Sequence, residues 1–239
     1  MKINLPLYND AGLRELPTLL PFLEPDDTLM LVSGNMDKPL DLAWLERTLT
    51  QIRRDAPQTV LLATAGLANL EKLAQEDFPS GGLVYIYEPD FPNVPEFSWE
   101  AGATLTNIAR AAEITEATPF GFKPTGRPLF QKGLERYAWD YGAFAAHVDL
   151  LLVQTQTYCK NGAFEGAVHK LGLQCRNALA KTFAQITLDL NARNGVEAVA
   201  GSSCTRAIAS SGLAGVTLWG SPHYTDNTLR LLDLLRQRA

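Results

Sequence analysis

The chain is most constrained by an alternation that repeats eight times. A short run rich in β-branched residues or leucine is followed by a polar turn, and then by a segment with apolar residues at helical spacing. Strands are expected at Lys2 to Tyr8, Thr28 to Ser33, Thr59 to Thr64, Leu83 to Tyr87, Pro119 to Lys123, Asp149 to Gln156, Ala184 to Asp189 and Gly215 to Trp219. Helices are expected at Leu13 to Phe22, Leu40 to Arg54, Leu67 to Gln75, Ala101 to Glu116, Gln131 to Ala146, Ala163 to Lys181, Val196 to Ser210 and Thr225 to Arg238. Val196 to Ala200 also admits a strand reading, with Gly201-Ser202-Ser203 as a phosphate-binding turn. The small residues from Cys204 to Ser210 recur at helical spacing and favour the helix.

Eight such units in 239 residues give roughly 30 residues per unit, the size from which a (β/α)8 barrel is built. An open doubly wound sheet alternates too, but eight parallel strands would make it unusually wide, and no GxGxxG follows the first strand. No linker rich in Pro, Gly or Ser and no charge block divides the chain. The expected fold class is therefore α/β, a single (β/α)8 TIM barrel formed by residues 1–239 as one domain.

Charge narrows the partners. Lys and Arg total 21 against 26 Asp and Glu, a net charge of -5, which gives no electrostatic reason to bind nucleic acid or anionic lipid. No apolar run reaches the length of a membrane span, and the N-terminus MKINLPLYNDAG lacks the apolar core of a secretory signal. The expectation is a soluble cytoplasmic chain, or a secreted one if a leader has been removed, acting on a small molecule or an oligosaccharide. Cys159, Cys175 and Cys204 are odd in number and form no CxxC, so they are expected to be reduced and mostly buried. His147, His169 and His223 lack metal-ligand spacing, so no metal and no cofactor are expected. Oligomeric state has no signature in the sequence.

In a barrel the functional groups gather at the C-terminal ends of the strands. That rule selects Tyr8 on the first strand, Glu88 and Asp90 after the fourth, Lys123 and Arg127 after the fifth, Gln154, Gln156 and Tyr158 on the sixth, Asp189 on the seventh and Trp219 on the eighth. Glu88 follows the apolar run Leu83-Val84-Tyr85-Ile86-Tyr87, where desolvation raises a carboxyl group towards the range of a general acid. Alternatively it pairs with Lys123 or Arg127. Asp189 faces the mouth as a second carboxylate, or it caps the loop and pairs with Arg193. Asp90 sits between Pro89 and Pro92 as a turn residue or a ligand-binding one. Two-residue periodicity puts Gln154, Gln156 and Tyr158 on one face, lining a polar pocket or bonding one another. Trp219 offers a platform for a sugar ring, while Trp44, Trp99 and Trp139 are read as structural residues on helices.

These strand ends resemble those of the (β/α)8 glycoside hydrolases. Tyr87-Glu88-Pro89 is similar to the Asn-Glu-Pro of a large retaining clan, which implies that Glu88 is its acid/base. Gly215-Val216-Thr217-Leu218-Trp219-Gly220 is similar to the closing strand of that clan's xylanases, where the tryptophan lines the subsite of the cleaved sugar. The clan's seventh-strand nucleophile is a glutamate, where Ile186-Thr187-Leu188-Asp189 offers an aspartate. Asp149 to Tyr158 resembles the sixth strand of plant-type chitinases, which also carry a fourth-strand glutamate and an eighth-strand tryptophan. Those enzymes place an aspartate two residues before the glutamate, where this chain has Ile86.

The expected function is a glycoside-hydrolase-like activity on a carbohydrate, with Glu88 as general acid/base and Asp189 as nucleophile or stabilising carboxylate. Tyr8, Asp90, Lys123, Arg127, Gln154, Gln156, Tyr158 and Trp219 would bind substrate. Two alternatives stand beside it. One is a barrel lyase, aldolase or isomerase using Lys123 and Arg127 on a small anionic substrate. The other is a non-catalytic barrel that binds carbohydrate or a partner.

Overall fold

The computed structural model describes residues 1–239 apart from 36–37, 92, 117, 160–162, 188–195, 220–224 and 237–239, and only the backbone of 196–202. Eight strands, β1 (Lys2–Leu7), β2 (Thr28–Val32), β3 (Thr59–Ala65), β4 (Gly82–Tyr87), β5 (Phe120–Pro124), β6 (Leu150–Val153), β7 (Thr182–Thr187) and β8 (Gly215–Trp219), pair in sequence order. Every pairing is parallel, and β8 returns to β1 with Asn4 opposite Thr217, so the sheet closes into a barrel. Around it run α1 (Asp10–Leu19), α2 (Leu42–Asp55), α3 (Leu67–Gln75), α4 (Ala101–Ile114), α5 (Tyr141–Ala145), α6 (Phe164–Gln174), α7 (Val196–Ser210) and α8 (Thr225–Arg236). This is the expected (β/α)8 TIM barrel.

Strand periodicity divides the apolar residues between two cores. Ile3, Leu5, Leu7, Leu29, Leu31, Tyr85, Tyr87, Phe122, Leu151 and Val153 pack outward against the helices. Met30, Val32, Leu61, Ala63, Val84, Ile86, Leu152 and Phe183 fill the barrel itself. At roughly 1.5–3 kcal/mol per large buried side chain, both layers hold the closed ring together.

Local chemistry sets the helix starts. The Asn9 side chain accepts from the Gly12 amide to cap α1, and Asp41 accepts from the Trp44 amide to cap α2. In both cases the capping residue lies in the loop after a strand, so helix initiation also shapes the barrel's upper rim.

Three expectations need correction. The helix expected from Gln131 to Ala146 is instead a loop with a short 3-10 turn at Glu135–Tyr137, followed by the five-residue α5. Gly133 and Ala138 adopt positive φ (90° and 52°), which no continuous helix can contain. Trp139 therefore lies in this loop, His147 follows α5, and Trp99 precedes α4. The sixth strand ends at Val153, and Gln156–Tyr158 is a 3-10 turn, so the strand alternation that grouped Gln154, Gln156 and Tyr158 stops at Gln154. Finally, Cys159 and Cys204 are joined in a disulfide, leaving Cys175 as the buried free thiol. Forty-five residues separate the pair, which links the 3-10 turn after β6 to α7.

Candidate functional site

The buried polar side chains inside the barrel gather mainly along one arc. Inward-facing positions of β2, β3 and β4 carry Met30, Leu61, Ala63, Val84 and Ile86. Around the opposite arc, β5 to β8 and β1 present Lys123, Gln154, Gln185, Thr217 and Asn4, all at most 6% exposed. Asn4 Nδ2 donates to Thr217 Oγ1 (3.1 Å), and Thr28 Oγ1 donates to Asn4 Oδ1 (2.9 Å), which secures one end of this arc.

Lys123 holds the other end. It stands opposite Ile86 in the β4–β5 register, and its Nζ donates to Gln154 Oε1 at 2.7 Å. The ammonium also lies 4.8 Å from the centroid of the Trp219 ring. Burial pushes the lysine pKa down to about 8, against the pull of the Glu88 carboxylate. Glu88 directly follows β4, two positions after the inward-facing Ile86, and is half-buried. No ion pair joins Glu88 to Lys123 or Arg127 among the described residues; the carboxylate acts on the lysine through space.

Arg127 is already engaged. It forms an ion pair with Asp90, its Nη2 donates to Gln131 Oε1 (2.9 Å), and its guanidinium lies 5.5 Å from the Trp99 ring centroid. Gln131 in turn donates to Tyr158 Oη (2.8 Å), and the Tyr158 ring stacks on Phe130 with centroids 4.0 Å apart. Asp90, Arg127 and Tyr158 are thus brought together, but as a brace linking the rim loops after β4, β5 and β6. Gln156 Nε2 reaches Gln154 Oε1 at 3.4 Å, so these two glutamines do bond one another.

Tyr8 and Trp219, at the tops of adjacent strands, stack with centroids 5.5 Å apart and planes 12° from parallel. They wall a cavity of about 640 Å³, large enough for a small ligand, whose other side is built by Asn9, Asp10, Ser33, Asn35, Asp41 and Trp44. Asp10 Oδ1 accepts from the Trp44 indole (2.9 Å), and Ser33 Oγ accepts from the Asp41 amide (2.9 Å), so the walls are cross-braced. Gly34 also lines this cavity at φ 67°, where a Cβ would come within 2.6 Å of Thr64 Oγ1. Sequence reasoning missed Asp10, Asp41 and Trp44. The available signal was that helix-capping residues after β1 and β2 stand at the mouth.

Asp189 and His223 lie outside the described residues. Among the described residues no group of His, Cys, Asp and Glu is placed to hold a metal, and no helix is long and apolar enough to cross a membrane.

Neither a protein-family model nor a curated protein sequence matches the chain. Solved structures do. A chitinase from Rhizomucor miehei superposes with a TM-score of 0.69 at 11% identity, covering 100% of both chains. A GH10 endoxylanase from a sugarcane soil metagenome gives 0.60 at 11% identity, over 98% of this chain and 96% of its own. A chitinase-like agglutinin from Robinia pseudoacacia gives 0.57 at 11% identity, over 98% of each chain. The likeness extends over nearly the whole chain, and what it establishes is the fold: a TIM barrel of the kind used by glycoside hydrolases.

Proposed function

We propose that this protein is a carbohydrate-active barrel in which Glu88 serves as general acid/base. One observation carries the reading: a half-buried carboxylate follows β4 and acts on Lys123, whose ammonium lies 4.8 Å from the Trp219 ring that, stacked on Tyr8, walls the mouth cavity. Sugars offer apolar ring faces to aromatic side chains and hydroxyls to carboxylates, and this cavity supplies both through Trp44, Asp10 and Asp41. Asp189, two positions after the end of β7 in sequence, is the proposed second carboxylate. Reaction at the mouth requires only water, a proton donor and that second acid.

The decisive variant is Glu88→Gln, assayed on a panel of β-linked oligosaccharides. Turnover should fall by about a thousandfold or more while ligand affinity changes little. Unchanged turnover removes Glu88 from the mechanism.

A second reading is a barrel that binds carbohydrate without cleaving it. It is favoured by Ile86, which is fully buried and apolar where the resemblance to plant-type chitinases places an aspartate. Saturable binding without turnover, identical in the wild type and in Glu88→Gln, is the result that would select it. The lyase reading is weakened because Arg127 is held by Asp90 and Gln131. The Cys159–Cys204 disulfide favours an oxidising compartment over the cytoplasm.

A further inference from the structure

Lys123 is buried to 1% exposure with a neutral hydrogen-bond partner, and among the described residues no carboxylate forms an ion pair with it. A buried cation is costly unless an anion meets it. One strand beyond Gln154, the Val153–Ala184 register sets Gln185 at the same level. Gln185 is 0% exposed, yet neither atom of its amide has a partner among the described residues. Thr187, the next inward-facing residue on β7, has a buried hydroxyl with no partner among the described residues. Buried polar groups are nearly always satisfied, so two side chains with unbonded donors on the same inner arc as the Lys123 ammonium, two strands from it, constitute an unfinished binding set.

We propose that the carbohydrate taken by this barrel carries a carboxylate, as in a uronic acid, and that Lys123 Nζ receives it. This rests on the carbohydrate reading above and names its substrate class. A carboxylate has two oxygens. One accepts from the ammonium as a charge-assisted hydrogen bond, and the other accepts from the Gln185 amide or the Thr187 hydroxyl. Gln185 Oε1 remains to accept from a sugar hydroxyl. Charge around the mouth bears on such a ring from several sides: Asp10 and Asp41 repel its carboxylate from the β1–β2 side, Glu88 repels it from β4, and Lys123 attracts it to the β5–β7 side. The Trp219 indole, already in contact with the ammonium, covers the ring as it enters.

The test compares uronic-acid oligosaccharides (galacturonate, glucuronate and mannuronate series) with their carboxyl-reduced counterparts of equal length, by calorimetry on the full chain. Wild type should bind at least one acidic series about tenfold more tightly than its reduced form. In Lys123→Met and Gln185→Glu that ratio should fall towards one, and Lys123→Arg should keep part of it. Far-ultraviolet circular dichroism and thermal melting of each variant separate lost binding from lost folding, and Gln185→Glu tests the idea even if Lys123→Met does not fold. Equal affinity for acidic and reduced sugars in the wild type, or an unchanged ratio in Gln185→Glu, overturns the inference and leaves the carbohydrate reading intact. If neither form binds, the inference is overturned, and the carbohydrate reading falls with it only if the β-linked oligosaccharide panel also shows neither binding nor turnover.

Discussion

Lys123 Nζ donates to Gln154 Oε1 at 2.7 Å across the β5–β6 boundary, inside a barrel where neither residue is more than 6% exposed. Folding therefore removes a cation from water and returns one neutral hydrogen bond and a contact with the Trp219 ring. The cost has a pH signature. Burial lowers the lysine from its ordinary 10.5 to about 8, so below pH 8 both folded and unfolded chains carry the proton and the penalty is present in full. Between pH 8 and 10.5 the unfolded chain binds more protons than the folded one, and stability rises with pH. At roughly 1.4 kcal/mol per pH unit, the relief is about 3 kcal/mol. Urea unfolding of wild type and Lys123→Met across this window should show the difference moving in favour of wild type by that order. Tyr85 and Tyr141, raised by burial, titrate in both proteins and cancel in the difference. A flat difference would mean that the ammonium is solvated.

The Tyr8–Trp219 stack predicts a graded loss of ligand affinity. Trp219→Ala removes the ring that joins the cavity wall to the Lys123 site and should weaken oligosaccharide binding about tenfold to a hundredfold, since a well-placed aromatic contact contributes on the order of 1–3 kcal/mol. Trp219→Phe should recover part of it. Tyr8→Ala should cost less, because the indole remains. Affinity electrophoresis in polysaccharide-containing gels reads all three, and equal mobility of wild type and Trp219→Ala would exclude this wall as the binding surface.

Much of this site was legible in the sequence because it hangs on backbone periodicity. β8 and α7 have the predicted bounds, and Lys123, Gln154 and Trp219 meet because parallel strands in one closed ring bring their ends together. What the sequence hid was everything that depends on loops or on contacts between distant segments. Tyr158 looked like a strand residue, but the 3-10 turn at Gln156–Tyr158 swings it onto Phe130. The apolar spacing from Gln131 to Ala146 mimicked a helix, while Gly133 and Ala138 required left-handed backbone there. Gln185 lay within a predicted strand, yet nothing in the surrounding sequence showed that its amide would have no partner among the described residues.

The Cys159–Cys204 bond predicts a simple thiol count. In denaturant without reductant, alkylation should label one cysteine, Cys175, and with reductant three. In the native protein Cys175 should react slowly, because burial pushes its thiol up to about 11. Cross-linking residues 45 positions apart restricts the unfolded chain, so Cys159→Ser with Cys204→Ser should lower stability by about 2–4 kcal/mol. Three labelled thiols without reductant would show that the bond does not form.

Asp27 ties β1 to the end of α8. It is 0% exposed, its Oδ1 accepts from the Ile3 amide on β1 (2.8 Å), and its Oδ2 accepts from the Glu24 amide (2.7 Å) and pairs with Arg236 at the end of α8. Arg236 also donates to the Met1 carbonyl (2.9 Å) and pairs with Glu24 (3.1 Å), so the two chain ends meet at one carboxylate. Asp27→Ala would strand the buried Ile3 amide and leave Arg236 only Glu24 and the Met1 carbonyl, a loss of about 3 kcal/mol. For a chain of this size that corresponds to a melting temperature lower by on the order of 10 °C. Arg236→Met leaves the carboxylate its two amide donors and should cost less than Asp27→Ala. The double variant should lose less than the two single losses combined, because the groups share one interaction. Strict additivity in calorimetric melts would show that the two groups act independently of one another.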